Sequence, residues 1–388
     1  MTRTAAVYTS RTDSAEAGRD LGEQVRNSLG SEPPDAAVVF ASSQFDYETL
    51  LTALDATCHP KIMVGSSSAG EFTGEQRGEG TACVLALQST DIRIAAGLGH
   101  GVSDDRANAA REAVSSFNGL GTHEFPYRSA LIMTDALAGH ADDLVEQLTV
   151  ATSGKYQFAC GGAGDDARFA RTHVFHGTKA FTNAVVALEL LSANPLGIGV
   201  GHGWEPATAP FRVTETDGTR ILSLNGLPAV EAFEQHALAT GQVLDRAAPL
   251  PFFLHNILGI ATGNGHRLRV PLAITENGAI ACAAEIPAGA RVQIMKTTAE
   301  SAANAAARAT EAAVANLRGG QPGSALVFDC VATRLRTGDA FGLELEAVGR
   351  MLKGAHFVGC NTYGQIARAD GQFGGFHNCT AVVMVLPA

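Results

Sequence analysis

Two pairs of glycines mark the clearest candidate binding chemistry in this sequence. Gly65 and Gly70 are five residues apart, as are Gly359 and Gly364, and each pair follows a short apolar run. Phosphate-binding loops use the same glycine spacing but end in Lys followed by Ser or Thr. Here the residue after Gly70 is Glu71, whose carboxylate would repel a triphosphate. The sequence therefore argues against nucleotide hydrolysis.

The polar residues between these glycines favour a small-ligand site. A glycine-rich turn after a parallel strand exposes backbone N–H groups at the carboxyl end of a sheet, where α/β proteins bind ligands. The alternative is that the glycines only permit tight turns, with Cys160 and Cys360 packed beneath them as small residues. We predict a ligand-binding set that consists of Gly65, Ser66, Ser67, Ser68, Gly70, Glu71, Gly359, Cys360, Asn361, Thr362, Gly364 and Gln365.

Two arginines on a predicted strand offer a second way to bind an anion. Arg267 and Arg269 are two residues apart, so they lie on the same face of a strand. Because guanidinium groups match the geometry of carboxylates, we predict Arg269 as a further ligand-binding residue. Charge on an exposed edge strand is the competing interpretation.

A group of aspartates is the best candidate for catalysis. Asp135, Asp142, Asp143, Asp165 and Asp166 could serve a metal-assisted hydrolase, which is the alternative function. Adjacent carboxylates can instead begin a helix, where they interact favourably with the helix dipole. The sequence has no Gly-x-Ser-x-Gly, no His-Glu-x-x-His and no Gly-x-Gly-x-x-Gly that opens a first helix. We therefore predict a binding protein and not an enzyme.

The glycine loops occupy equivalent places in a repeated unit. Each copy predicts a first strand, a helix, a second strand that leads into the loop, and a last strand. Strands joined through helices favour parallel pairing and a layered α/β architecture. The copies cover residues 36–87, 325–386 and, more weakly, 130–186.

The segment from about 206 to 298 has a different pattern. Short alternating strands are separated by turns such as Glu276-Asn277-Gly278, which is typical of antiparallel hairpins. Helices are predicted at 227–239 within the segment and at 299–317 after it. The predicted fold class is thus α/β, with layered sheets of internally repeated parallel units and an antiparallel hairpin segment in the middle.

Composition excludes several classes of partner. The 388 residues carry a formal net charge of -11 and show no run of Lys and Arg, which disfavours nucleic acids and anionic membranes. No signal peptide is evident, and no stretch approaches the length of about 18 apolar residues that a membrane span needs. None of the seven cysteines forms a Cys-x-x-Cys pair, which suits free thiols in a reducing cytoplasm.

The sequence resembles the FIST family of sensory proteins, because it contains several motifs in the order that is usual for that family. The similarity covers nearly the whole chain and rests on a combination of motifs. They are Val64-Gly65 to Ala69-Gly70-Glu71, Gly201-His202-Gly203-Trp204, Val213-Thr214, Asn225-Gly226-Leu227-Pro228-Ala229, Gly359 to Gly364, and Phe376-His377-Asn378. Gln365 departs from the pattern, because many relatives carry Glu there.

The resemblance implies a sensor with an N-terminal FIST domain at 1–222 and a C-terminal FIST domain at 223–388. It implies a small-molecule ligand such as an amino acid, and in some stand-alone relatives haem that senses nitric oxide. Since no output module is fused to this chain, its partner would be a separate histidine kinase or cyclic-dinucleotide enzyme.

His377 is the leading candidate if haem is the cofactor. It follows Phe376 in an apolar setting, where a neutral imidazole can ligate iron. A hydrogen-bonded core histidine is the alternative interpretation. His202 and His255 are the other candidates, and attachment would be non-covalent because no Cys-x-x-Cys-His motif is present.

Overall fold

Residues 2–89 form the first of three similar units. The structure is a computed structural model that describes residues 2–121, 124–263, 265–369 and 375–388. The side chains of Asp13 and Asp46 accept hydrogen bonds from backbone N–H groups in the first turns of two helices, which fixes where those helices begin. The elements of this unit are β1 (Thr2–Thr9), α1 (Ser14–Leu29), β2 (Ala36–Ser42), α2 (Tyr47–Cys58), β3 (Met63–Ser68), β4 (Glu71–Thr73), β5 (Arg77–Gly78) and β6 (Ala82–Ser89).

Residues 92–192 repeat this order of strands and helices in a second unit. The side chain of Asp105 caps its first helix by accepting a hydrogen bond from the backbone N–H of Asn108. The elements are β7 (Ile92–His100), α3 (Arg106–Ala113), β8 (Tyr127–Thr134), a 3₁₀ turn (Ala136–Ala138), α4 (Ala141–Ala151), β9 (Gln157–Gly162), β10 (Val174–His176), β11 (Lys179–Phe181) and β12 (Ala184–Ser192).

The third unit is interrupted after its first strand, β13 (Gly197–Gly201), by an antiparallel insertion. The insertion contains β14 (Glu205–Pro206), β15 (Phe211–Asp217), β16 (Arg220–Leu224), β17 (Leu227–Pro228), α5 (Ala229–Thr240), α6 (Leu250–Phe253), β18 (Ile257–Thr262), β19 (Gly265–Arg269), β20 (Pro271–Ile274), β21 (Ile280–Cys282) and β22 (Arg291–Lys296). The unit resumes with α7 (Ala299–Ala315), β23 (Pro322–Cys330), α8 (Val331–Thr337), a 3₁₀ turn (Gly338–Phe341), α9 (Gly342–Leu352), β24 (His356–Thr362), β25 (Gln365–Arg368), β26 (Gly375–His377) and β27 (Ala381–Pro387).

Each unit contributes its short hairpin to the sheet of another unit. The hairpin β4–β5 joins the sheet of the third unit, β10–β11 joins that of the first, and β25–β26 joins that of the second. The three six-stranded sheets therefore have the same strand order. In each sheet the unit's first strand is followed by its last, second and third strands, and then by the hairpin of another unit. The second and third strands pair in parallel in every unit. This cyclic exchange relates the three units by pseudo-threefold symmetry.

The inner faces of the three sheets share one hydrophobic core. It joins side chains from every unit, among them Phe40, Met133 and Phe328, and the rings of Phe40 and Phe328 lie 5.7 Å apart. The long helices pack on the outer faces, where each unit has a separate apolar cluster. Because each sheet is covered on both faces, β2 is buried along its full length.

The α/β class, the repeated units and the antiparallel middle segment are confirmed. The weaker copy at 130–186 is a full unit and not a remnant. One prediction was wrong in detail: residues 65–68, 159–162 and 359–362, expected in loops, belong to β3, β9 and β24. They continue as strands because each pairs in register with the strand before it, as Ser68 does with Ser42. The sequence analysis also missed β1, β7 and α3.

The helices of the described chain segments include none that is both long and apolar enough to cross a membrane. The division into domains at 1–222 and 223–388 stays a prediction. Structurally, the two parts are interleaved, since β13 belongs to the sheet of the third unit and β4–β5 lies beside β24.

Candidate functional site

The turns that follow β3, β9 and β24 meet at the centre of the molecule. Each turn is bonded through its backbone to the other two, which satisfies polar groups that would otherwise be buried unpaired. The bonds run from Gly164 N–H to Ser67 C=O (3.0 Å), from Asn361 N–H to Gly70 C=O (2.8 Å) and from Gly162 N–H to Gly364 C=O (2.9 Å). The structure thus brings together the two predicted glycine motifs and the equivalent motif of the second unit.

Gly65 and Gly359 have a packing role. A Cβ atom at either position would lie 1.9 Å from the carbonyl oxygen of the neighbouring strand, at Val39 and Val327 respectively. Gly70 and Gly364 adopt φ values of 125° and 99°, which side chains rarely tolerate. These observations support the interpretation that the glycines permit close approach of neighbouring strands and tight turns.

Most of the predicted polar residues are buried and already occupied. Ser67 accepts a hydrogen bond from the backbone N–H of His173 (2.9 Å), and Ser66 and Cys360 face the central core region with about 2% exposure or less. All seven cysteines are free and buried, and burial raises the pKa of the thiols of Cys160 and Cys360. These observations agree with small residues packed beneath the turns.

Glu71 stands at the first residue after its turn and is fully enclosed. Ser68 and Thr81 donate hydrogen bonds to its two carboxylate oxygens at 2.5 and 2.6 Å. Burial raises the pKa of Glu71 to about 7, although both hydroxyl groups act in the opposite direction. In the third unit, the amide of Gln365 lies 2.8 Å from Thr362 Oγ1 and next to Thr380. A carboxyl group and an amide thus occupy equivalent positions.

A polar pocket lies between the first and third units, and we call it the inter-unit pocket. Its empty space is about 1010 Å³, open to solvent. Glu71 and Asn361, one from each predicted motif, both line it. The lining residues are Glu71, Phe72, Arg77, Gly78 and Glu79 from the first unit, and Arg334, Leu335, Gly338, Asp339, Phe341 and Asn361 from the third.

Asn361 is the most informative residue of this pocket. Its side chain is 1% exposed, and neither its amide nitrogen nor its amide oxygen has a hydrogen-bond partner among the described residues. The guanidinium of Arg334 is paired with Glu79, but its Nε is buried without a partner there. An unpaired buried polar group costs about 1–3 kcal/mol, so a ligand that bonds to Asn361 would recover this free energy.

An apolar cleft lies on the other side of α8, between the insertion and the α/β units. Its empty space, which is open to solvent, is about 620 Å³, and it is lined by apolar side chains such as Leu254 and Val270 of the insertion and by Gly364. The rings of Phe169 and Tyr363 stack there at 4.4 Å, and the hydroxyl of Tyr363 donates to Asp165. The cleft offers few polar groups with which to orient a ligand.

Arg269 is buried and paired inside the protein. Its exposed fraction is 1%, and its Nη2 lies 2.5 Å from a carboxylate oxygen of Asp142, which also accepts from Arg267 at 3.5 Å. Arg269 donates further to the backbone carbonyl groups of Glu285 and Phe376. The two arginines do share a carboxylate, as their spacing suggested, but it comes from α4. The interpretation as exposed edge charge was wrong for Arg269.

The aspartate group is occupied by structural hydrogen bonds. Asp165 accepts from three successive backbone N–H groups, starting at Phe169. Asp166 accepts from the hydroxyl groups of Ser42 and Ser43, and Asp143 pairs with Arg106. Within the described residues, no group of three or more His, Cys, Asp or Glu side chains is placed to hold a metal ion.

The region of His377 does not fit a haem in the part of the chain that the structure describes. The imidazole is 3% exposed on β26, and none of the pockets described above reaches it. Phe373 and Gly374, expected to border the macrocycle, lie outside the described residues. His202 is tied to the backbone of His266 and Trp204, and His255 is exposed.

Comparison with known families decides the class of protein. The FIST N domain matches residues 35–227, and the FIST C domain matches residues 229–368. The chain belongs to the FIST family. FIST domains are sensory domains that bind small ligands in signalling proteins, and the family is not typically enzymatic.

A relative aligns with this FIST protein over nearly the whole of both chains. An uncharacterised protein of Mycobacterium tuberculosis, found in strains CDC 1551 / Oshkosh and ATCC 25618 / H37Rv, is 23% identical over 380 residues, covering 95% of each chain. Among solved structures, a cyanuric acid hydrolase from A. caulinodans aligns over 100% of this chain and 99% of its own. That alignment has 9% identity and a TM-score of 0.34.

The inter-unit pocket joins the two FIST domains. Its first-unit residues fall within the FIST N match and its third-unit residues within the FIST C match. Sequence reasoning found Glu71 and Asn361 but missed Arg77 and Arg334. Arg334 lies on α8, which was not predicted, and its approach to the first unit depends on the exchanged hairpin. No local pattern marks either arginine.

Proposed function

We propose that this FIST protein binds a small carboxylate ligand, such as an amino acid, in the inter-unit pocket and regulates a separate signalling partner. The buried, unpartnered amide of Asn361 is the observation that supports this best. Such a group is costly in the free protein and becomes favourable when a ligand supplies an acceptor and a donor.

The charges of the pocket fit a zwitterion. Arg77 and Arg334 supply guanidinium groups for a carboxylate, while Glu79 and Asp339 supply carboxylates for an amino group. Arg334 is already paired with Glu79, so a zwitterion can exchange with that pair without leaving either charge alone. A triphosphate would face repulsion from the acidic side chains.

The exchanged hairpin suggests how binding is reported. One wall of the pocket is the β4–β5 hairpin of the first unit, and the opposite wall is the α8 region of the third. A ligand that touches both walls favours the arrangement in which they are close, and it can act on a partner only through that differential affinity. A histidine kinase or a cyclic-dinucleotide enzyme is the proposed partner. We place the pair in the cytoplasm, where seven free buried cysteines are stable.

A thermal-unfolding screen of the amino acids tests the binding site. We expect at least one to stabilise the wild type, by about 2.7 kcal/mol at a hundred times its dissociation constant. Asn361→Ala should lose this stabilisation, whereas Ser67→Ala, at the equivalent position of the first unit, should keep it. Stabilisation of Asn361→Ala equal to that of the wild type would refute the site.

Two further measurements separate a sensor from an enzyme. The purified protein should return the bound ligand chemically unchanged after prolonged incubation, and multiple turnover would favour a hydrolase. The autophosphorylation rate of a co-encoded kinase, measured with and without the protein and its ligand, should depend on both.

Haem binding through His377 is a separate prediction that the described geometry does not favour. The absorption spectrum after haem reconstitution tests it, with His377→Ala as the variant. A Soret band that requires His377 and shifts with nitric oxide would establish haem as the cofactor.

A further inference from the structure

A second pocket, far from the glycine turns in the sheet, is lined by four cationic side chains. We call it the basic pocket. Its empty space, which is open to solvent, is about 800 Å³ and lies at the start of β8 and β9. The cationic residues come from four separate segments of the second and third units, namely Arg128 of β8, Lys155 before β9, Arg318 after α7 and Arg368 of β25. Their convergence is unusual in a chain whose net charge is -11.

Little negative charge offsets these cations. None of the described residues that line the basic pocket is Asp or Glu, and Lys155, Arg318 and Arg368 form no ion pair with a described carboxylate. Glu189 contacts the lining residue Tyr156 but is fully buried, and it accepts hydrogen bonds from the hydroxyl of Tyr156 and from two backbone N–H groups. The basic pocket therefore retains an excess of positive charge that a bound anion would neutralise.

Arg318 and Arg368 are held in place by neutral contacts. Arg318 lies 5.5 Å over the ring of Tyr127, and Arg368 donates to the backbone carbonyl of Tyr156. Contacts of this kind orient a guanidinium while leaving its charge uncompensated, which is the arrangement that binds phosphoryl oxygens in bidentate geometry.

We propose that the basic pocket binds a small molecule that carries two phosphoryl groups. Three cations without an ion pair to a described carboxylate, Lys155, Arg318 and Arg368, match a compact polyanion better than a single carboxylate, which would leave most of them unpaired. Nucleic acid fits poorly, because it requires an extended basic surface and the chain has no Lys/Arg-rich run. This site shares no residue with the inter-unit pocket, so either proposal can fail alone.

Titration calorimetry with inorganic pyrophosphate tests the proposal, with sulfate at matched ionic strength as the competing anion. The double variant Lys155→Gln/Arg318→Gln removes two exposed cations of the basic pocket. Arg308→Gln is the matched control, since Arg308 is exposed on α7, the helix that precedes Arg318, and lies outside the pocket. We expect saturable binding of pyrophosphate to the wild type and to Arg308→Gln, and a loss of affinity of about tenfold or more in the double variant.

Three results would overturn the proposal. They are no binding of pyrophosphate at millimolar concentration, equal binding of sulfate, and unchanged affinity in the double variant. Arg368→Gln serves as an independent check that uses the partly buried arginine, and it should also weaken binding while circular dichroism shows a retained fold. A nucleoside diphosphate that competes with pyrophosphate would support the site and show that an organic group is accommodated.

Discussion

The first and third units build the same hydrogen-bonded corner from side chains that differ in charge. In the first unit the hydroxyls of Ser68 and Thr81 donate to Glu71, and in the third unit the hydroxyl of Thr362 and the backbone of Thr380 contact the amide of Gln365. The third unit places the neutral Gln365 where the first has a carboxyl group. This corner therefore needs groups that can form hydrogen bonds, and a neutral amide can supply them without a buried charge.

The units also differ in how they use the residue before this corner. Ser67 is bonded to the backbone of His173 from the hairpin of the second unit. Its equivalent, Asn361, faces the inter-unit pocket, where its side chain has no partner among the described residues. The same position therefore has a structural role in the first unit and remains available to bind a ligand in the third unit.

The largest expected effect comes from the close approach of the second and third strands. Gly65→Ala and Gly359→Ala would each place a Cβ 1.9 Å from a backbone oxygen, so the strands must separate. We expect each substitution to lower the free energy of unfolding by about 3 kcal/mol or more, at the upper end for overpacked cores. Urea denaturation measures the loss.

Ala159 provides the control for this prediction, because the second unit carries a side chain at the equivalent position. Ala159→Gly should cost only about 1 kcal/mol, from the greater freedom of the unfolded chain. If Gly65→Ala and Gly359→Ala proved as mild, the three units would tolerate the same strand spacing and this part of the comparison would fail.

The second effect concerns the carboxyl group of Glu71. Its pKa is raised from 4.5 to about 7, so between these values the folded state binds the proton more tightly than the unfolded state. The contribution of Glu71 to stability is then fully present below pH 4.5 and is lost as the pH rises through 7, by about 3 kcal/mol. The negative charge of Asp166 also raises the pKa of Glu71.

Glu71→Gln should therefore stabilise the protein by up to about 3 kcal/mol at pH 8 and change little at pH 4. The reverse change, Gln365→Glu, should destabilise it at pH 8 by a similar amount, because it buries a new charge. Chemical denaturation at both pH values checks the pair. Equal stability of the wild type and Glu71→Gln at pH 8 would show that the carboxylate is well accommodated.

The smallest effect separates Ser67 from Asn361. Ser67→Ala removes a partner from buried backbone groups and should cost about 1–2 kcal/mol. Asn361→Ala removes an amide that has no partner among the described residues, so the free protein should keep its stability or gain slightly. Comparable losses in the two variants would mean that Asn361 has a structural role.

Local patterns in the sequence were sufficient for much of the fold. The apolar runs that begin the copies at 36 and 325 predicted strands, and the stretch at 299–317 predicted a helix, which the structure confirms because hydrophobic patterns and helix propensity act over a few residues. The edge strand β1 was missed although its buried residues alternate, as in Ala5, Val7 and Thr9.

By itself, the sequence determined the three units, their glycine turns and two residues of the inter-unit pocket, Glu71 and Asn361. Only the tertiary structure decided that the hairpins are exchanged, since β4 has three residues and pairs with β24, almost three hundred positions away. The same long-range pairing brings Arg334 beside Glu79 and gathers four cations in the basic pocket. Contacts of this kind depend on the packing of whole sheets, which no local pattern of residues encodes.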